Sequence, residues 1–575
     1  MSQLTYSLSF PHPASHYVEV EMLLENISSK DYSGFIELKM PVWTPGSYLV
    51  REYAKNVEGF GAWGEASDPL TWRKTNKNTW QIELAPFPKT LKIAYKVYSF
   101  EISVRNNFVD ESHALIVGAN TFMYLEGHQN QKAFLEINLP SQWKNIETAL
   151  PRLSAHRFEI PDFDTLIDSP LELGNAPSID FEVGGIPHRH VLYGLEDSGL
   201  DSEQFIKDTQ AIVQAAQAVF GENPCKNYLF VTHFLKESRE GLEHKDCTIL
   251  HFPRVDFGKP EGYKDFLSLA AHEYFHVWNI KRLRPEPLGP FDYSQENYTT
   301  LLWQVEGFTS YFEKLILYKS TIIDEGAYLE TLSKKINYTE NQPGMAVQSL
   351  AEASWDAWIK AYRPNENSPN ATISYYAKGA VIALLLDAFI IRHSQAQNNL
   401  NTVMQKMYQH YYKELDRPFT EAELKAVLEE TAQSSLDSFF EAYIYQTKAI
   451  EYAEFLEPLG LILQRKESEE TKAEIGITLQ ENKITFVKRS SVAERDGLNV
   501  GDTFLAINEI VPNDFAEFLE NIKPSESLNC LVNRNGLVKE ITLNADKIKE
   551  EEWILSKLEM LSPAQKSNQD KFLRR

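Results

Sequence analysis

Short stretches in which apolar and polar residues alternate dominate the first part of the chain. Tyr17-Val-Glu-Val-Glu-Met22, Phe35-Ile-Glu-Leu-Lys-Met40 and Leu91-Lys-Ile-Ala-Tyr-Lys-Val97 have the two-residue period of half-buried strands. Turn signals such as Pro45-Gly46 separate them. Many short strands with few helices predict an N-terminal β-sandwich over residues 1–165. Beyond it the pattern is mixed. His190–Tyr193, Tyr228–Thr232 and Cys247–Phe252 read as strands, and Ser202 to Phe220 has the helical period, with Phe205, Ile212, Val213 and Ala216 on its apolar side.

The middle of the chain reads as helical. Tyr263 to Lys281 forms one expected helix, stopped near Pro285 and Pro287. Thr300–Lys319, Lys378–Ile391, Leu400–Tyr412 and Thr420–Tyr445 continue the series. Short strands return after residue 455, at Lys483–Val487 and Leu528–Val532, with a turn at Gly497–Asp502. No internal repeat is visible. A length of 575 residues exceeds one ordinary core and points to three or four domains. The fold class is therefore multidomain α+β. Domains are expected at 1–165, 166–345, 346–455 and 456–548, with a charged tail over 549–575.

Composition adds exclusions. Residues are 43% hydrophobic and 24% charged, as in globular proteins. A net charge of -24 repels phosphate backbones and acidic lipid, which argues against nucleic-acid and membrane partners. No run of 18 apolar residues marks a span, and the N-terminus lacks a basic, apolar leader. Cys225, Cys247 and Cys530 are far apart and odd in number, so neither a disulfide framework nor a cysteine metal knuckle is expected. These features together predict a cytoplasmic protein.

The chemistry concentrates at His272-Glu273-Tyr274-Phe275-His276. Four residues turn a helix by about 400°, so both imidazoles leave one face. Two neutral imidazoles suit zinc. Glu273, next to the first of them, is placed to take a proton from an activated water. With 14 His and 81 Asp+Glu in the chain, chance supplies only about 0.05 such matches. The bland alternative is a helix with two core histidines. Zinc also needs a third protein ligand. A common spacing leads to Gln295, which cannot serve as the acid, and Glu296 misses by one. Glu306, in Leu301-Leu-Trp-Gln-Val-Glu-Gly-Phe-Thr309, is an acid flanked by apolar residues and needs a partner. Glu306 is favoured over Glu296; a salt bridge, for instance to Arg282, would be its structural explanation. Glu313 lies on about the same face and would support the ligands.

His272-Glu-Tyr-Phe-His-Val-Trp-Asn-Ile-Lys-Arg-Leu-Arg-Pro285, Glu306-Gly-Phe-Thr309 and Pro41-Val-Trp-Thr-Pro-Gly-Ser-Tyr-Leu-Val-Arg-Glu-Tyr53 resemble the glycyl aminopeptidase family of gluzincin metallopeptidases. The resemblance implies a thermolysin-like catalytic domain, one zinc ion on His272, His276 and Glu306, and removal of small N-terminal residues such as Gly and Ala. Gly241-Leu-Glu-His244 is similar to the exopeptidase motif of the related alanyl aminopeptidases. That similarity implies a strand along the substrate, with Glu243 holding the free α-amine, although His244 departs from the alanyl pattern. Tyr376-Ala-Lys-Gly379 resembles a motif whose tyrosine donates to the oxyanion, a role a protonated phenol can fill; the adjacent Tyr375 is the other candidate. For the basic group Lys281, Arg282 and Arg284, charge at a helix end plus salt bridges is set against a site for the substrate's far carboxylate.

Residues 456–548 resemble a PDZ domain, through Val487-Lys-Arg-Ser-Ser-Val-Ala493, Asp496-Gly-Leu-Asn-Val-Gly-Asp502 and Leu505-Ala-Ile-Asn508. Glu474-Ile-Gly-Ile-Thr478 would be its carboxylate-binding loop, and Glu509 stands where a glycine is usual. The resemblance implies that peptide or protein C-termini bind there; a structural role is the alternative. The expected protein is a zinc aminopeptidase acting on peptides, with Glu273 and Tyr376 catalytic and Gly241 and Glu243 at the substrate. A zinc endopeptidase served by the PDZ-like domain and a non-catalytic peptide-binding scaffold are the competing readings.

Overall fold

The computed structural model describes residues 3–28, 34–195 and 200–574. Met1, Ser2 and Arg575, at the ends of the expected first domain and tail, lie outside them. The chain divides into two compact units. One comprises Met1–Tyr298, Leu315–Ile322 and Gln405–Thr420; the other comprises Thr299–Lys314, Ile323–Met404 and Glu421–Arg575.

The first unit begins with β-structure. A seven-stranded sheet sets Gln3–Ser9 between Tyr17–Glu25, antiparallel, and Ala133–Asn138, parallel. Tyr17–Glu25 buries every second side chain, as its alternation predicts. A four-stranded sheet holds Phe35–Lys39 beside Thr79–Glu83. Both sheets feed one core, with Val20, Met22 and Ile93 from the first and Leu38, Trp80 and Ile82 from the second. A further small sheet pairs Ala114–Ile116 with Leu171–Gly174.

The site is framed by a five-stranded mixed sheet in the same unit: β1 (Ser178–Val183), β2 (Ile186–Tyr193), β3 (Tyr228–Leu235), β4 (Glu240–Glu243) and β5 (Cys247–Pro253), in the order β1-β2-β3-β5-β4. The three central strands are parallel, and β3 and β5 are buried along nearly their whole length; β4 lies antiparallel to β5 at an edge. Helix α1 (Ser202–Phe220) links β2 to β3. Asp201 caps its start and Gly221, at φ 88°, ends it. Helix α2 (Pro260–Phe275) starts on proline, which loses no hydrogen bond there. It ends six residues before the expected Lys281. The amides of Val277 and Trp278 bond three residues back, to Tyr274 and Phe275, and Ile280 takes φ 114°, so the ladder cannot continue.

The second unit contains the start of helix α3 (Leu302–Lys319) and all of helix α4 (Tyr375–His393), whose N-cap Ser374 accepts from the Ala377 amide. The two cross at glycines. A Cβ on Gly379 would stand 2.6 Å from the Trp303 carbonyl oxygen and 2.8 Å from Gly307 Cα, so neither position has room for a side chain. Ser368–His393 is long and apolar enough to cross a membrane by composition, but 83% of its window is buried inside the protein. The helix expected over Thr420–Tyr445 is broken. Glu421–Ala432 ends at Gln433 with φ 58°, and Glu429 accepts from the Leu436 amide before a new turn begins at Asp437.

Toward the C-terminus, Ile477–Gln480, Lys483–Val487, Thr503–Ile507, Ser527–Arg534 and Leu537–Asn544 form an antiparallel sheet, in that order. Its core includes Ile484, Phe504, Leu528 and Val532. The segment expected as a charged tail is built into the fold. Asp546–Lys557 pairs with Leu461–Glu474, and Pro563–Leu573 is a helix that buries Phe572 and Leu573. Its charged residues line a two-stranded ribbon with exposed sides, so charge marked a solvated surface and not a loose end.

Candidate active site

Helix α2 is held by its apolar side, with Phe266, Leu267, Ala270 and Ala271 fully buried. That anchorage carries the polar residues down with it. His272, Glu273 and His276 are 7%, 5% and 1% exposed, too buried to stand unpartnered without cost. The two imidazole rings lie 4.8 Å apart at 81°. His276 Nδ1 is 2.8 Å from the Asn279 carbonyl oxygen. A carbonyl only accepts, so Nδ1 carries the proton and Nε2 is the basic nitrogen, the tautomer a metal ligand requires. The early end of α2 is what brings Asn279 back to His276.

Strand β4 runs along Glu273. A Cβ on Gly241 would come within 2.8 Å of Glu273 Cγ and closer still to its carboxylate. Two residues on, Glu243 turns its carboxylate against Gly46, where a Cβ would be 2.6 Å from Oε2. Gly46 also has φ 86°, a region that favours glycine. Ligand-type atoms of Glu243, Glu273 and His276 all lie within 4.8 Å of one another. Glu243 Oε1 is buried and has no hydrogen-bond partner among the described residues. Two buried carboxylates at this range repel each other, a repulsion that a cation between them would relieve.

Beside Glu243 lies a charge network that the sequence did not reveal. Asp168 accepts from Lys281 Nζ at 2.8 Å, His244 Nδ1 at 3.0 Å and the Lys245 amide at 2.8 Å. Burial alone would raise the Asp168 carboxyl, but the Lys281 ammonium and His244 overrule it and hold the group far below the ordinary range. Burial likewise works against charge on Lys281, and Asp168 and Glu243 more than offset it. His244 thus orients Asp168. Arg282 is committed to Asp246 at 2.7 Å and to the carbonyls of Lys245 and Val277; Arg284 lies over the Phe291 ring. The basic cluster is pinned by acids, carbonyls and a ring. Asp168 is 76 residues from His244 and 113 from Lys281, and no local pattern marks it. A cavity of about 980 Å³ opens here, lined by Trp43, Gly46, Tyr48, Glu243, Lys281 and Arg284 among others.

In the second unit, Glu306 is 2% exposed on α3, one residue before the glycine crossing. Tyr376 lies in the first turn of α4, three residues before Gly379, and is half-buried, whereas Tyr375 is 2% exposed; their rings stack at 4.8 Å. The crossing of Gly307 on Gly379 therefore brings the Glu306 and Tyr376 motifs together. Lys378 is 1% exposed, and burial lowers its ammonium to about 8. Glu313 lies 3.6 Å from Lys314 Nζ. In the first unit, Gln295 donates to Asp292, and Glu296 is partly exposed.

Two family models match the chain: the peptidase M61 N-terminal domain over residues 5–175, and the M61 glycyl aminopeptidase over residues 265–382. A search of curated proteins returns no match. Among solved structures, the crystal structure of an aminopeptidase N family protein from Idiomarina loihiensis superposes with a TM-score of 0.89 at 28% identity, covering 98% of this chain and 99% of that one. An M1 zinc metallopeptidase mutant from Deinococcus radiodurans bound to a Tyr-Ser-Ala substrate is more distant, with a TM-score of 0.48, 13% identity, and 78% and 95% coverage. Carrying both of the family's domain models in order, the chain belongs to the M61 glycyl aminopeptidase family.

Proposed function

We propose that this protein is an aminopeptidase that uses one zinc ion to hydrolyse the N-terminal peptide bond of peptides, with a preference for small first residues such as Gly or Ala. The observation that carries the reading is the course of β4, which lays Gly241 on Glu273 and leaves a buried, unpartnered oxygen on Glu243. The donor set fits zinc: two buried imidazoles on one helix face, one with its Nδ1 proton engaged. His272, His276 and Glu306 would hold the ion, with Glu306 assigned by its motif and its burial. When bound, zinc supplies Lewis acidity toward a carbonyl and a water.

The residues then divide the work. The edge of β4 offers main-chain pairing to an extended substrate. Glu243 takes the α-ammonium as a charge-assisted partner and so sets the register to the first peptide bond. Glu273 accepts the proton of the attacking water and returns it to the leaving amine. Tyr376, the more accessible of the two tyrosines, donates to the oxyanion. The preference for small residues follows from the family alone.

The domain plan also remains part of the proposal: an N-terminal β-sandwich at 1–165, a thermolysin-like domain at 166–345, a helical domain at 346–455 and a PDZ-like domain at 456–548. The five-stranded sheet, the short helices Val492–Asp496 and Phe515–Glu520, and the edge position of Ile477–Gln480 support the last. That edge suits added peptide C-termini. It is also what would favour an endopeptidase fed by this domain. Three free, buried cysteines support a reducing, cytoplasmic setting. A panel of free and N-acetylated aminoacyl-anilides and peptides, with and without chelator, tests the reading. Chelator-sensitive cleavage of free amines alone is expected. Equal cleavage of acetylated peptides overturns it in favour of the endopeptidase, and no cleavage at all favours a scaffold.

A further inference from the structure

A second cluster of metal-ligating groups lies in the first unit, away from α2. His113 precedes Ala114–Ile116, Glu172 sits within Leu171–Gly174, and His233 is on β3. All three are buried, at 2%, 2% and 3% exposure. Each offers a ligand-type atom, and these atoms all lie within 4.8 Å of one another. Neighbouring ligands of a tetrahedral zinc stand about 3.4 Å apart, given bonds of about 2.1 Å. His233 Nε2 and Glu172 Oε2 are already 2.9 Å apart. The rings of His113 and His233 lie 5.1 Å apart at 80°, nearly the mutual placement of His272 and His276.

Two further observations point to a ligand. Glu172 Oε1 is buried and has no hydrogen-bond partner among the described residues. A His–Glu hydrogen bond alone would leave that oxygen desolvated and uncompensated. The proton bookkeeping of His113 also favours a metal. Ser112 Oγ donates to Asp110 at 2.6 Å and lies 3.0 Å from His113 Nδ1. The hydroxyl proton is spent on Asp110, so Nδ1–H donates to Ser112, and Nε2 is the ring's basic nitrogen. Ser112 is exposed and Tyr193, stacked on His113 at 3.8 Å, is partly so, which gives an ion a short path in.

We propose that His113, Glu172 and His233 form a second divalent metal site of the two-histidine, one-carboxylate kind, with water completing the shell. This donor set selects zinc-like ions over calcium or magnesium, which prefer all-oxygen shells. The ion would tie the strands at His113 and Glu172 to β3, a closure between segments 61 residues apart at their nearest. Clips across long loops restrict the unfolded chain most, and binding free energy of this kind adds to folding.

The site does not depend on the function proposed above, and the test separates the two. The full chain is equilibrated with zinc, dialysed against metal-free buffer and assayed for metal. About two ions per chain are expected in the wild type and about one in His272→Gln/His276→Gln, with that one lost when Glu172→Gln is added. A double-histidine variant that holds no zinc, or one ion indifferent to Glu172→Gln, overturns the proposal. One ion in the wild type that survives the histidine changes and is lost with Glu172→Gln supports this site and sinks the α2 assignment. Should Glu172→Gln not fold, cobalt titration of the double-histidine variant decides. A visible d–d band saturating near one equivalent supports the site, and its absence overturns it.

Discussion

Gly241 packs its Cα against the side chain of Glu273, leaving no space for a Cβ, which would lie 2.8 Å from Glu273 Cγ and nearer still to the carboxylate. The strand and the proposed general base are thus set by one contact. Gly241→Ala should displace the carboxylate while leaving the edge strand paired. A fall in kcat of at least about 10²-fold is expected, since misplacement by about 1 Å costs that much. Steady-state kinetics with circular dichroism checks it; unchanged kcat would mean the carboxylate relaxes freely.

Glu273→Gln keeps the shape and removes the proposed base. Zinc content should match the wild type, while kcat falls by about 10²- to 10⁴-fold. Elemental analysis beside an anilide assay reads both. A fully active variant would remove Glu273 from the mechanism.

Glu243→Gln takes the charge from the group proposed to hold the α-amine. On free aminoacyl-anilides kcat/KM should fall by about 10- to 100-fold, the worth of a charge-assisted bond. Acetylated analogues, which the wild type should leave intact, lose nothing by the change, so the ratio between the two classes narrows. An unchanged ratio would place the amine anchor elsewhere.

Gly307 and Gly379 allow α3 and α4 to touch backbone to backbone. Gly379→Ala should therefore cost about 1–3 kcal/mol through overpacking and lower the melting temperature measured by calorimetry. A melting temperature equal to the wild type's would mean that the helices part without penalty.

Burial holds the His190 imidazole at about 3, with His188 adding repulsion. The unfolded chain takes up that proton near 6.5. The contribution of His190 is therefore fully present above pH 6.5 and is lost as pH falls toward 3, by up to about 1.4 kcal/mol per unit. His190 stacks on Phe230 and lies near Phe181 and Phe205, so His190→Phe should fit and flatten this dependence. Urea melts of both proteins between pH 7 and 5 measure the slopes, and parallel curves would contradict the assignment.

Local periodicity carried most of the elements. Ser202–Phe220 and Lys483–Val487 have the ends their patterns predict, because burial on one face alone decides them. The departures arise where specific hydrogen bonds, near or far along the chain, compete with the periodic pattern. Helix α2 stops at Phe275 since His276 bonds Asn279. The helix after Thr420 breaks where Glu429 caps Leu436. The charged end folds because Leu461–Glu474 supplies a partner strand; the ribbon buries few side chains, Leu461 and Leu555 among them, and so its sequence reads as solvent-exposed.

For the chemistry, spacing of four along a helix was enough to place His272, Glu273 and His276 on one face, since helical geometry is local. The identity of Gly241 and Gly46 was visible, but not its reason, which is the carboxylate that occupies the space of each missing side chain. Asp168 and the trio His113, Glu172 and His233 were not legible at all. The members of the trio stand 59 to 120 residues apart, and only the packing of strands into sheets brings them within reach of one another. Residue type and periodicity thus determined most elements and the first candidate ligands, while tertiary packing decided which buried charges meet, because Coulomb and hydrogen-bond energies depend on distance in space and not along the chain.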